Sequence, residues 1–168
     1  MALETGPSST QSDGKWIIWN VPSGSNALSV AILNGGTVKP ITYGLTADGF
    51  DHQTTQATVE DKRLTEIQDR TRPGRISETV NLKVVASSVA TSADAILQGL
   101  STSGAETQFT VRRAVDNATI ATVAQVVDVI TGVVGVRRPD APVENGVDTA
   151  QYQLFITQPT QRQKPLVA

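Results

Sequence analysis

The chain carries one histidine, His52, and no cysteine, which narrows the chemistry its side chains can perform. A nucleophilic triad needs a base beside a nucleophile, and a metal site needs several imidazole or carboxylate ligands. His52 has Asp51 next to it and no further clustered ligand, so it reads as a surface histidine in a polar turn. Asp48 and Asp51 lack the twelve-residue rhythm of a calcium loop, and Asn34-Gly35-Gly36 lacks both the frame and the following helix of a phosphate loop. The tight carboxylate pairs Glu60/Asp61 and Glu66/Asp69 lie among five basic residues. Such neighbours hold carboxyls ionised and leave no poised acid. Arg112-Arg113 and Arg137-Arg138 are too few for a nucleic-acid face and have no interleaved aromatics. Asn117-Ala118-Thr119 fits a glycosylation acceptor, but Met1 to Pro7 lacks the basic start and apolar core of a signal peptide. The match is read as chance and the chain as made in a cytoplasm. No catalytic, cofactor or metal residue is expected, and the chain is read as not an enzyme.

Composition points instead to architecture. The 168 residues fit one domain with a real core. Val, Thr and Ile together supply 51 of them, an excess that favours pleated sheet because χ1-stiff side chains pack well on strands. Aromatics are 4%, so small aliphatics must fill the core. A net charge of −2 argues against a dedicated nucleic-acid binder. The apolar run from Ala118 to Val136 has Gln125 and Asp128 at its middle and glycines at 132 and 135, so buried strand is the reading rather than a membrane span.

Turn chemistry divides the chain into strands. Residues 1–14 read as a mobile arm, 15–157 as one β-domain, and 158–168 as a polar C-terminal arm with no core pattern. Strands are expected at Lys15–Asn20, Leu28–Leu33 and Thr37–Thr46, the last at an edge or with a bulge because Pro40 cannot donate to a ladder. Asp48–Asp51 reads as a turn and Thr54–Val59 as a weak strand. Ile76–Val85 is strand-like, a helix follows at Ser92–Leu100 with Thr91 as its cap, and strands come at Glu106–Val115 and Gln151–Thr157. Between them Ala118–Val136 is too long for one strand and is expected as two, broken near Thr131-Gly132. The fold class is therefore mainly β, a sandwich or barrel with one flanking helix.

One excursion stands out. Nine of the sixteen residues from 60 to 75 are charged: Glu60, Asp61, Lys62, Arg63, Glu66, Asp69, Arg70, Arg72 and Arg75. A solvated loop or hairpin would have this composition. So would a docking arm whose mixed charges meet complementary charges on a neighbour.

The order of these features resembles the major tail tube proteins of long, non-contractile-tailed bacteriophages. The residues that carry the resemblance are Asp61–Gln68, the Pro73-Gly74-Arg75 turn, Ser77–Val84, the helix and the strand after it, and the closing Gln151–Thr157. The resemblance implies subunits that close into hexameric rings and stack into a hollow tube through which the genome passes. It implies other tail proteins as partners (tape measure, tail terminator, tail tip), no cofactor and no membrane. The charged residues of 60–75 become candidates for contacts between rings. Asp128 is a candidate for facing the lumen, beside the plainer reading of an outward residue on a half-buried strand. Open alternatives are another virion β-protein, in head-tail completion or capsid decoration, and a small-ligand-binding β-sandwich with a pocket.

Overall fold

In the computed structural model, which describes residues 12–62, 64 and 67–168, the elements run as follows. Strand β1 is Ile17–Pro22, the one-turn helix α1 is Val30–Leu33, and β2 is Lys39–Pro40. A 3₁₀ turn at Thr42–Gly44 leads into β3, Leu45–Asp61, and β4, Arg70–Val85. Helix α2 is Ala93–Ser103, and β5 to β9 are Glu106–Arg112, Val126–Val134, Arg138–Pro139, Thr149–Ile156 and Gln161–Pro165. The protein is mainly β, its strand pairings are antiparallel, and among the described residues α2 is the one helix of seven or more residues.

These elements form two compact units. The first holds the described residues up to Gly44, Ala105–Gly132 and Thr157–Ala168. Here β1 lies between β2 and β5, and β9 pairs with β6. Its core gathers Ile17, Trp19, Val21, Leu33, Val127, Val129 and Leu166. Thr107 and Thr110 are buried too, their hydroxyls donating to the carbonyls of Val21 and Ala27, so neither buried hydroxyl is left unmet. The second unit holds Leu45–Gly104 and Val133–Ile156. In it β4 lies between β3 and β8, with β7 on β8, and α2 packs on β4. Val80, Leu82, Val84, Leu97, Tyr152 and Leu154 are buried. In neither unit do the strands close into a barrel.

Several sequence expectations are corrected. Leu28–Leu33 is not a strand but holds α1, because the extended path beside it is taken by the C-terminus: Val167 donates to Leu28 O and accepts from Val30 N. A run of four apolar residues fits either period. Asp48–Asp51 is not a turn but an irregularity inside β3, where the register jumps from Leu45↔Val84 to Phe50↔Leu82. Gly49 is needed there, since a Cβ would stand 2.4 Å from Lys83 O. Ala118–Val136 is not two strands: β6 runs straight through Thr131-Gly132, and 118–125 is loop. Residues 158–168 are not a tail without core pattern, for they hold β9 and bury Leu166. The helix starts one residue later than expected, with Ser92 rather than Thr91 as its cap, its hydroxyl accepting from Ala95 N at 3.2 Å.

Candidate assembly surface

The excursion at 60–75 is the outer part of a hairpin. Strands β3 and β4 pair from Leu45↔Val84 out to Asp61↔Arg70. The third strand, β8, registers on β4 only over Val80–Val85. Beyond Val80 the hairpin is a two-stranded ribbon, eight paired rows or about 25 Å long at the usual rise per residue. Gln53 to Glu60 are all exposed, as are Arg70–Pro73 and Arg75–Ser77 on the facing strand. An isolated two-stranded ribbon is marginal in water.

Local chemistry shapes the ribbon. Between Gln56↔Ile76 and Thr58↔Pro73 the second strand carries one extra residue, a β-bulge. Pro73 sits at the bulge, where a missing N–H costs no ladder bond. Gly74 follows because a Cβ would stand 2.9 Å from Ala57 O and 3.1 Å from Val59 Cγ2. At the root His52 Nε2 lies 3.3 Å from Glu78 Oε2, both side chains largely buried, which corrects the expectation of a surface histidine.

The sequence candidates fall at the outer end. Glu60 and Asp61 close β3, Lys62 and Asp69 lie in the connection, and Arg70, Arg72 and Arg75 are on β4. Arg63 and Glu66 lie outside the described residues, as does the arm up to residue 11. Lys62 pairs with Glu60 at 2.9 Å, and Arg72 with Asp61 at 3.4 Å. Such exposed pairs contribute about 0–1 kcal/mol each, so they do little for the fold. Leu64 and Ile67, at the tip, are fully exposed. Asp128 sits apart, in the first unit: its carboxylate meets Arg113 at 3.2 Å and accepts from Gln163 N at 2.8 Å. Arg113 in turn stacks over Trp16 at 4.7 Å. The groove beside them, about 200 Å³ and lined by Val111, Val127 and Gln163 as well, is below the size of ordinary ligand pockets.

Two polar centres were not found from the sequence. In the first unit Arg112 is buried, 5.2 Å from the Trp19 ring, and donates to the carbonyls of Asp116, Thr119 and Ile120 and to Gln125 Oε1. Its guanidinium organises the 113–125 loop, although burial disfavours the charge. In the second unit Asp94 is 2% exposed. It takes two bonds from Arg137, at 3.0 and 2.9 Å, one from Tyr152 at 2.5 Å and one from Ser87 N at 3.1 Å. Desolvation raises its pKa, but these donors outweigh it and hold the carboxyl below the ordinary range. Burial and the Asp94 bond push the Tyr152 phenol up. The Asp94 carboxylate is met by four donors, and the Arg112 guanidinium is bonded through both terminal nitrogens while its buried Nε has no partner; both centres position backbone. Among the described residues no group of three or more His, Asp or Glu could hold a metal ion, and no helix is long and apolar enough to cross a membrane.

Residues 3–168 match the phage tail tube protein family. The chain belongs to that family. Its fold is also similar to a chain in the cryo-EM structure of the anti-feeding prophage baseplate, 6-fold symmetrised. That likeness has a TM-score of 0.57 at 11% identity, over 95% of this chain and 96% of that one. No curated protein matches. Membership makes this tail tube protein a structural, non-enzymatic component of the phage virion. Its outer surfaces, rather than a pocket, are where its function must be sought.

Proposed function

We propose that this tail tube protein is the repeating subunit of the tube of a long, non-contractile tail. Subunits close into hexameric rings, the rings stack, and the genome passes through the lumen. The observation that carries this reading is the ribbon beyond Val80, exposed on both strands and lacking a third strand in its unit. A head-to-tail contact in which each ribbon is held by the next copy closes into rings. The charged residues 60–75 then lie at the contacts between rings, where mixed signs favour one docking register over others. The near-neutral balance of −2 suits a channel for DNA, since a basic lining would bind phosphates and hinder sliding. Asp128, engaged by Arg113, is the lumen candidate that this reading carries forward. Tape-measure, terminator and tip proteins are the further partners, and assembly takes place in the host cytoplasm.

A second reading is a ring at the base of the tail, favoured by the likeness to a baseplate chain over 95% of this one. Negative-stain electron microscopy of the purified protein over a range of concentrations tests both. Long hollow tubes are expected. Single annular particles that never stack would favour the basal ring, and monomers at every concentration would contradict self-assembly.

A further inference from the structure

Asparagine is one of the chemically labile side chains, and two asparagines of this chain, Asn34 and Asn145, are followed by glycine. The amide carbon of an asparagine side chain can close a five-membered ring with the backbone nitrogen of the next residue. When that residue is glycine, no side chain shields the nitrogen. Local structure then decides which of the two sites reacts.

The glycine nitrogens start from matching positions. Gly35 N donates to Ile32 O at 3.0 Å, and Gly146 N donates to Val143 O at 3.0 Å. The asparagine side chains differ. Asn34, at the end of α1, is tied to the backbone of Ala121 through both ends of its amide. Its Nδ2 donates to the Ala121 carbonyl at 2.9 Å, and its Oδ1 accepts from Ala121 N at 3.0 Å. Asn145 stands at φ 58° at the tip of the loop between β7 and β8, where Glu144, Asn145 and Gly146 are all exposed. Among the described residues its side chain has no hydrogen-bond partner, so the amide is free to turn onto Gly146 N. The single bond from Gly146 N to Val143 O must open first, and opening a turn that lies in solvent costs little.

We propose that Asn145 is a site of spontaneous covalent modification, converted through its neighbour Gly146, while Asn34 is spared. Gly146 N gives its proton to a solvent base and attacks Cγ of Asn145. The N–Cγ bond forms, the Cγ–Nδ2 bond breaks, and ammonia leaves with a proton taken from water. A water molecule then opens the cyclic imide at one of the two bonds from that nitrogen. Breaking the bond to Cγ leaves aspartate; breaking the bond to the backbone carbonyl carbon leaves isoaspartate, joined through its side chain. Either product adds a fourth carboxylate to a loop that holds Asp140, Glu144 and Asp148 and no basic residue. Isoaspartate also lengthens the main chain at the turn by a methylene. The loop stays tied at its ends, Asp140 N to Thr149 O at 3.0 Å and Ala86 N to Asp148 O at 2.8 Å, which confines the change to the tip.

Peptide mapping of the purified full-length protein, incubated at mildly alkaline pH in water enriched in heavy oxygen, tests this. The same chain in urea runs alongside, and sampling continues until the unfolded chain has converted at both Asn-Gly sites. In the folded chain conversion is expected at Asn145, as aspartate and isoaspartate together, each carrying heavy oxygen. Asn34, held by two hydrogen bonds, should lag about tenfold or more, and the lag should vanish in urea. An intact Asn145 in the folded chain once the unfolded chain has converted would overturn the proposal. So would equal conversion of Asn34 and Asn145 in the folded chain, or aspartate at 145 with no isoaspartate.

Discussion

Asp94 carries a charge in a nearly dry place because four donors converge on it. As the second residue of α2 it also lies at the positive end of the helix dipole. Asp94→Asn removes the charge and leaves the Arg137 guanidinium without its carboxylate. We expect a loss of about 3 kcal/mol in denaturant unfolding. The native carboxyl titrates below its ordinary value. Its contribution is therefore complete above the unfolded value, about pH 4, and is lost as pH falls through the lower native one. The variant should show a flatter acid limb between pH 4 and 2, measured by thermal melts across that range. At Gly74, Val would press its side chain into the Ala57 carbonyl and the Val59 methyl. Gly74→Val should leave the melting of the domain nearly unchanged while impairing assembly, since the ribbon past the bulge carries few core contacts; a wild-type assembly profile by sedimentation would count against this. Arg112 was illegible in the sequence for a physical reason. Alternation assigns it to the outward side of its strand, but β5 is buried on both faces from Thr110 to Arg112, and a guanidinium bonded to loop carbonyls leaves no sequence pattern.

At the scale of elements, what the sequence made legible followed local chemistry. The charged excursion marked the outer part of the hairpin, but the turn expected at Pro73-Gly74-Arg75 is a bulge inside β4. The Ser92 region and the Ala93, Ile96, Leu97, Leu100 spacing marked α2, alternation marked β5, and the closing Gln151–Thr157 strand matches β8. What failed depended on distant partners. The 118–125 loop owes its shape to Arg112, and α1 and β9 owe theirs to the return of the C-terminus along Leu28–Val30 and β6. Within the candidate site the sequence singled out the arm and its charges but not the bulge or the length of unsupported ribbon, because strand pairing is non-local. Two predictions belong here. Leu166→Ala empties a fully buried position beside Val127 and Val129. It should cost about 2–5 kcal/mol and make the segment after Thr157 the first to be cut in limited proteolysis. Removing residues 56–76 and joining Thr55 to Ser77 through Asn-Gly ends the hairpin at a paired row suited to a tight turn. The shortened chain should fold, with unchanged near-ultraviolet dichroism and a melting temperature near that of the parent.

For the whole molecule, the buried cores lie in the two compact units, while the ribbon beyond Val80 contributes exposed surface. Contacts made through exposed charges at its outer end are screened as ionic strength rises, over about 8 Å at physiological salt and 3 Å at 1 M. Raising salt should shorten tubes before it unfolds subunits, measured as length distributions in micrographs against melting temperature. The most direct measurement is a paired one: electron micrographs of the parent chain and the ribbon-shortened chain, prepared at the same concentration. Tubes from the parent and only unstacked subunits or rings from the shortened chain are what the account predicts. Tubes of normal length from both would contradict it.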